Sequence, residues 1–347
     1  MKIAQIMLCK GYGGAERAFV DTCLSLAEAG VEVLAVIDHQ FYARHQLQHP
    51  RLIVAPIRIL TRFDPLAKWQ IARVLRQFGA NLAHIHLRRS MIVAAKTCQQ
   101  QHIPVLATIH NYSKLTAYHS ADWVIALTQE HAHYLTQHHS GFAGKITVVP
   151  NFSRFATTEA VIPLTGPLKF LAYGRFVPKK GFDVAIAAFA QARRQMPEAR
   201  LTIVGAGAEA AALRQQIHTL GLAPVVELNG WSDAVSDLLD QYDVLVLPSR
   251  HEAFGIVALE AMARGKAIVS TRCEGPRQFL SESACFFCQP GDAADLAAQL
   301  VQVYQQRQQA QQRAIVANQL FRQHYAAAVV IPQLQAVYQQ VAGAGSR

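Results

Sequence analysis

Glu252 and Glu260 stand eight positions apart in His251-Glu-Ala-Phe-Gly-Ile-Val-Ala-Leu-Glu260, directly after the strand-like run Asp243-Val-Leu-Val-Leu247 and Pro248. Eight positions are a little over two helical turns, so a helix starting near Gly255 sets one carboxylate at its mouth and one inside it, on roughly one side. A helix mouth also presents unpaired backbone N–H groups and a partial positive charge, which attract phosphate. Phe254, Gly255 and Ile256 would supply those donors, Gly255 has no side chain to hold a diphosphate at a distance, and Glu260 would reach the paired hydroxyls of a ribose. Without a ligand the same two residues read as an acidic surface pair on an ordinary helix, since helices are rich in Glu.

Three glycine loops carry related chemistry. Gly174-Arg-Phe-Val-Pro-Lys-Lys-Gly-Phe182 follows a strand and brings Arg175 and Lys180 onto one short turn. Two fixed cations there would stabilise the charge that builds on a departing diphosphate, an effect greatest in the transition state; the alternative is a solvated basic loop. Gly11-Tyr-Gly-Gly-Ala-Glu-Arg17 lies between the first strand and the first helix, where Gly13 and Gly14 allow close backbone approach or simply a tight turn. It is not a Walker A loop, because no Gly-Lys-Ser or Gly-Lys-Thr follows. Gly205-Ala-Gly-Ala-Glu-Ala210 fits a dinucleotide fingerprint, with Glu227 as its acidic partner, and so keeps an NAD-dependent oxidoreductase in view. That loop opens the second unit of its half, not the first as the fingerprint requires.

His110 closes the strand-like Ala107-Thr-Ile-His110 and reads either as a site residue or as a capping histidine. His84 and His86 alternate on one strand, but no carboxylate lies near them and no Asp-x-Asp occurs to hold a divalent ion on a diphosphate, so no metal is implied.

The elements that must position these residues alternate from the start, strand then helix, the pattern of parallel α/β sheets. First-half strands are predicted at 2–8, 31–37, 52–55, 82–86, 105–109, 123–126 and 146–149, with a helix over Ala15–Ala29 ending on Gly30 and another from Asp64-Pro65 to Gly79. Asn, Ser, Thr, Pro and Gly between Pro150 and Pro167 read as a linker. The alternation restarts with strands at 169–173, 200–204, 225–228, 243–247 and 267–270 and helices beginning near Phe182, Ala208, Asp233, Gly255 and Pro276. Asp292 to Val341 reads as helical. Two Rossmann-like halves with a cleft between them are the simplest architecture.

A chain of 347 residues with 51% hydrophobic content exceeds what one core usually serves. Short apolar runs and an N-terminus without a signal peptide's hydrophobic region predict a cytosolic protein with no spanning helix. Six scattered cysteines suit reduced, buried thiols, and the Phe286-Phe287 pair inside Cys285-x-x-Cys288 suggests a buried strand over a zinc or redox site. Net charge is +10, and residues 1–160 hold 16 Lys and Arg against 9 Asp and Glu. That sign fits nucleic acid, an anionic membrane surface or a phosphorylated acceptor. Residues 57–78 interleave Arg58, Arg62, Lys68, Arg73 and Arg76 with Ile59, Leu60, Phe63, Leu66, Trp69, Ile71 and Leu75, which suits either a bilayer surface or an amphipathic helix packed on its sheet.

Taken together, the chain resembles the retaining GT-B glycosyltransferases of family 4, the group 1 glycosyltransferases, over nearly its whole length. The resemblance rests on Gly174-Arg-Phe, Lys180-Gly181-Phe182, Ile203-Val-Gly-Ala-Gly207, Pro248-Ser249, Glu252-Ala-Phe-Gly-Ile-Val257, Glu260-Ala-Met262 and Glu274-Gly-Pro276, with Gly13-Gly14-Ala-Glu-Arg17, His110 and Pro150-Asn151 in the first half. It implies an acceptor-binding domain over 1–158, a nucleotide-sugar-binding domain over 159–325 and a C-terminal helix, 326–347, returning to the first. The donor would lie in the interdomain cleft, with Arg175 and Lys180 on the diphosphate, Glu260 on the ribose, Glu252 on donor-sugar hydroxyls, and Gly205, Gly207 and the Phe254–Val257 turn around it. His110, Gly13 and Gly14 would complete the site. Transfer would retain configuration and need neither metal nor cofactor, with a UDP-sugar as donor, a glycan or lipid-linked acceptor, and no nucleic acid partner. Gln278 departs from the Glu that many members carry. Glu274-Gly-Pro276 and the basic first half look most like members that build lipopolysaccharide or surface polysaccharide. The expected place is the cytoplasm, with a peripheral position on the inner face of the membrane. A non-catalytic sugar-nucleotide binder is the remaining alternative.

Overall fold

Runs rich in Val, Ile and Leu form the strands, as apolar residues buried on both faces of a parallel sheet do. The computed structural model describes residues 1–112, 115–158 and 160–344; Glu159 and residues 345–347, at the expected domain edges, lie outside the described residues. The first unit comprises Met1–Arg154 and the chain from Ala327 onward, the second Phe155–Ala326.

In the first unit β1 (Lys2–Met7), β2 (Glu32–Asp38), β3 (Leu52–Ile57), β4 (Leu82–His86), β5 (Val105–Thr108), β6 (Trp123–Ala126) and β7 (Ile146–Val148) make one parallel sheet ordered β3-β2-β1-β4-β5-β6-β7. Strand order reverses between β1 and β4, so the loops after those two strands flank the point where open α/β sheets bind ligands. The helices are α1 (Gly14–Glu28), α2 (Pro65–Phe78), α3 (Leu87–Gln99) and α4 (Gln129–His138). α1 ends as its Gly30 requires: Gly30 N donates to Ala27 O at 3.1 Å and Val31 N to Leu26 O at 3.0 Å. Asp64 opens α2 by accepting from Leu66 N and Ala67 N at 3.0 and 3.1 Å, with Pro65 in the first turn.

The basic, apolar stretch over 57–78 packs one face on its sheet and leaves the other exposed. Ile59, Ile71 and Leu75 are buried in the core with Ala67 and Phe78, while Leu60, Phe63, Leu66 and Trp69 stay 72%, 67%, 61% and 56% exposed.

The second unit repeats the plan with β8 (Lys169–Arg175), α5 (Phe182–Ala192), β9 (Arg200–Ala206), α6 (Ala210–Thr219), β10 (Val226–Asn229), α7 (Val235–Asp240), β11 (Val244–Leu247), α8 (Ile256–Ala263), β12 (Ala267–Thr271), α9 (Pro276–Phe279), β13 (Phe286–Cys288), α10 (Ala293–Gln305) and α11 (Arg307–Leu320). Its parallel sheet runs β10-β9-β8-β11-β12-β13, placing the order reversal between β8 and β11. α6 starts at Ala210, two residues after the position read from the sequence, because Glu209 N bonds Phe176 O at 3.2 Å and ties that turn to the loop after β8. Cys285 just precedes β13 and Cys288 ends it; both are buried, and burial pushes both thiols up, Cys288 to about 12, so the free thiols stay protonated.

The segment read as continuously helical from Asp292 to Val341 is helical in pieces. A π-helical turn over Phe321–Tyr325 and an extended Ala326 separate α11 from α12 (Ala327–Ala344). α12 belongs to the first unit, where Tyr338 Oη accepts from Gln5 Nε2 of β1 at 2.7 Å.

Candidate functional site

At the order reversal of the second sheet, the loops after β8 and β11 are fastened edge to edge. Arg250 N and His251 N donate to Lys179 O at 2.8 and 3.3 Å, and Arg250 Nη1 donates to Pro178 O at 2.8 Å. Arg250 also grips Asp183 of α5 through two bonds of 2.7 and 2.6 Å, and that contact holds the Asp183 carboxyl below the usual range. Gly181 makes the closeness possible: its φ is +64°, and a Cβ there would lie 2.1 Å from Pro248 O.

This fastening brings Lys180 Nζ onto Glu252 Oε2 as a short ion pair. Neither side chain is fully exposed, at 14% and 18%, so the two charges neutralise each other in a partly desolvated place. Arg175 stands exposed at the end of β8, on the same loop. From the other side, Glu274 Oε1 takes a bond from His251 Nδ1 at 2.9 Å and its Oε2 one from Glu252 N at 3.3 Å, while Gly275 N donates to Glu252 O at 2.7 Å. Glu252 is therefore held by its backbone as well as by Lys180.

The predicted helix opens where the spacing put it, with Gly255 as its left-handed N-cap (φ +101°) and Ile256 as its first residue. First-turn N–H groups, Ile256 and Val257 among them, have no acceptor within the helix. Glu260 is buried inside α8 and Oε2 accepts from Tyr173 Oη at 2.5 Å; the same hydroxyl reaches Val257 O at 3.4 Å. Phe254 is buried and stacks on Phe279, centroids 4.8 Å apart, which anchors the turn from below. Gln278 Nε2 donates to Glu274 O, a bond that a carboxylate at this position could not make.

Gly205 and Gly207 sit beside the same loop, but the close approach they permit is to the protein's own chain. A Cβ on Gly205 would lie 1.9 Å from Gly174 O, and one on Gly207 2.3 Å from Phe176 O. The fingerprint spacing thus has a packing cause in this fold.

In the first unit, His110 is buried just after β5 in a hydrogen-bonded network with β1, β4 and α12. His86 Nε2 lies 2.8 Å from Gln5 Oε1, His86 Nδ1 lies 3.0 Å from His110 Nε2, and His84 bridges Tyr338 Oη and Thr108 Oγ1 at 2.9 and 2.7 Å. Gln5 Oε1 only accepts, so His86 Nε2 carries its proton, His86 Nδ1 accepts, and His110 Nε2 donates. That leaves a lone pair on His110 Nδ1, a buried atom with no hydrogen-bond partner among the described residues. Burial, then repulsion from His131, pushes His110 down to about 3, and burial, then His110, does the same to His84. These rings are neutral acceptors at neutral pH. They line a cavity of about 30 Å³ with Thr22, Pro150 and Asn151, room for one small polar group. Gly13 is the extended N-cap of α1 and Gly14 its exposed first residue, beside the order reversal of the first sheet. Among the described residues no cluster of three or more His, Cys, Asp or Glu is arranged to hold a metal ion.

Sequence reading missed the Arg250–Asp183 clamp, the His251–Glu274 contact and Tyr173 under Glu260. Only Tyr173, adjoining the Gly174 loop, carried a usable signal.

Residues 157–319 match the family model of the group 1 glycosyl transferases, and residues 12–152 that of Glycosyltransferase Family 4. The lipopolysaccharide core biosynthesis glycosyltransferase LpsD of Rhizobium meliloti is 31% identical over 299 residues, covering 82% of this chain and 83% of that one. LpsE of the same organism is 29% identical over 84% and 85%. Among solved structures, Anabaena HepE in complex with UDP-glucose superposes with a TM-score of 0.84 at 21% identity, covering 98% of this chain and all of that one, and so shares its fold. Two parallel Rossmann-like sheets with these neighbours are the GT-B fold, and with matched family models on both halves and LpsD alongside, the chain belongs to the group 1 glycosyltransferases of family 4.

Proposed function

We propose that this chain moves a hexose-type sugar from a UDP-sugar to a glycan or lipid-linked acceptor in lipopolysaccharide or surface polysaccharide synthesis, retaining the anomeric configuration without a metal ion. The observation that carries the reading is the Lys180–Glu252 pair held at the mouth of α8 by two interlocked loops. A diphosphate placed there takes Lys180 from Glu252, and the freed carboxylate accepts from donor-sugar hydroxyls. Arg175, Lys180 and the first-turn N–H groups of α8, around Phe254, Gly255, Ile256 and Val257, stabilise the charge that grows on the diphosphate as its bond to the sugar breaks. Those fixed cations do the work a divalent ion would otherwise do. Glu260 accepts from the ribose hydroxyls, Gly205 and Gly207 border the donor, and His110 Nδ1, with the Gly13-Gly14 turn, receives a substrate hydroxyl. The names of LpsD and LpsE favour lipopolysaccharide, and the UDP-glucose of HepE favours UDP.

Leu60, Phe63, Leu66 and Trp69, exposed among Arg58, Lys68, Arg73 and Arg76, favour a peripheral position on an anionic, cytoplasmic membrane face. Among the described residues no helix is long and apolar enough to cross a membrane.

Mass spectrometry of the protein incubated with a panel of nucleotide sugars, with and without EDTA, tests the donor half. UDP released from one UDP-sugar, undiminished by chelator, is expected. A donor left intact across the panel would make the chain a binding protein, and loss of turnover in EDTA would end the metal-free proposal.

A further inference from the structure

The loop before α2 and the first turn of α3 enclose a second place where charge converges. Leu60, Thr61, Arg62, Arg88, Arg89 and Ile92 line an open cavity of about 550 Å³, in the size range of small-molecule sites. It lies beyond the carboxyl end of β4, next to the order reversal of the first sheet.

Its construction breaks two local rules. Leu87 has φ +66°, a left-handed conformation that a bulky residue adopts only under strain. That turn drives the chain straight from β4 into α3, so Arg88 and Arg89 fall in the helix's first turn. Cations there oppose the helix dipole, no acid stands in that turn, and the N-cap His86 gives no capping bond. Such breaches concentrate at functional sites. Of the nearby acids, Asp64 spends its oxygens on the backbone N–H groups of Leu60, Leu66 and Ala67. Asp38 is fully buried at the end of β2, where it holds Arg89 at 3.6 Å and so orients that one guanidinium. Arg62 rests over the Phe63 ring at 4.7 Å.

We propose that this cavity binds the phosphate monoester of a phosphorylated sugar acceptor. A tetrahedral dianion matches forked guanidiniums, the partial charge of the α3 mouth adds to them, and the apolar Leu60 and Ile92 suit the face of a sugar ring. The sugar half of this ligand rests on the glycosyltransferase reading; the phosphate half rests on the arginines alone.

Isothermal titration of the full chain with glucose 6-phosphate as probe, glucose as neutral control and UDP as independent ligand tests it. Glucose 6-phosphate should bind, glucose should bind at least about tenfold more weakly, and Arg62→Gln/Arg88→Gln should weaken glucose 6-phosphate about tenfold while lowering its salt dependence. UDP affinity should hold in that variant, which also reports that it is folded; if the double variant misfolds, the exposed single change Arg88→Gln takes its place. Equal affinity for glucose and glucose 6-phosphate, or no loss in a folded variant, overturns the proposal. So does absent glucose 6-phosphate binding, with or without arginine-dependent sedimentation on phosphatidylglycerol vesicles; sedimentation would assign the arginines to a lipid surface. Failure of wild-type protein to bind UDP strikes the donor reading and leaves this site standing.

Discussion

The two units share a sheet plan and differ in what they place at its carboxyl edge. The first buries a chain of neutral imidazoles, joined through Gln5, Thr108 and Tyr338, and leaves Arg62, Arg88 and Arg89 exposed outside it. The second sets opposite charges against each other where two loops interlock, Lys180 on Glu252 and Arg250 on Asp183 of α5. A neutral network is held by the water it excludes and gives directional acceptors. A paired network is held by its own charges and can hand one over when an anion arrives. One fold thus carries two ways of preparing a polar site, and each fails under a different stress.

Acid should separate them most. His84, His110 and His131 sit at about 3, 3 and 4 in the folded chain, and His86 well below its ordinary value, because burial penalises their charged forms. The unfolded chain takes up protons near 6.5 that the folded chain refuses, so stability is whole above that value and falls as pH drops from about 6.5 toward 3, by up to about 1.4 kcal/mol per pH unit for each histidine. In the second unit Asp183 and Glu274 lie below their ordinary values of 3.8 and 4.5; their contribution is present above those values and lost only beneath them. Urea unfolding followed by Trp123 fluorescence should therefore weaken steeply between pH 6.5 and 4.5, while Trp231, in the second unit, reports little change. Parallel loss in both units over that range would dissolve the contrast.

Next in size is the charge handover. Lys180→Ala or Glu252→Ala should lower kcat by about 10²–10³, as removal of one preorganised transition-state partner does, with the melting temperature nearly kept. Near wild-type turnover in a folded variant of either residue would mean that the pair is structural.

Much of this second site was legible in the sequence, and the reason is local. The strand ends, the Gly174 loop and the Glu252–Glu260 spacing each lie within one short stretch, and buried parallel strands read as continuous apolar runs. What escaped depends on contacts distant in the chain. Arg250 meets Asp183 from 67 positions away, and Gln5 meets Tyr338 from 333. Gly205 shows the opposite failure: a local pattern suggested a cofactor turn, and only the Gly174 carbonyl opposite it explains the missing side chain. The 57–78 stretch was likewise hard to divide in sequence, because its periodicity fits a buried face and a bilayer face until packing identifies Ile59, Ile71 and Leu75 as the buried side.

Smaller effects test whether the second unit's pairs are graded by burial. Glu260→Gln keeps the shape and the contact with Tyr173 but removes a charged acceptor, so UDP affinity should fall by about 1.5–3 kcal/mol with kcat for bound donor little changed. A fall in kcat at unchanged affinity would move Glu260 from the ribose to the reacting centre. Gln278→Glu should cost least. It deletes the bond from Nε2 to Glu274 O and sets a carboxylate near that carbonyl, which loosens the strut behind Glu252 without touching the donor. The expected loss is about 1 kcal/mol of stability and a few-fold rise in KM for the donor at constant kcat. A gain of activity would show instead that a carboxylate here contacts ligand directly, and that this chain uses glutamine to tune the site and not to brace it.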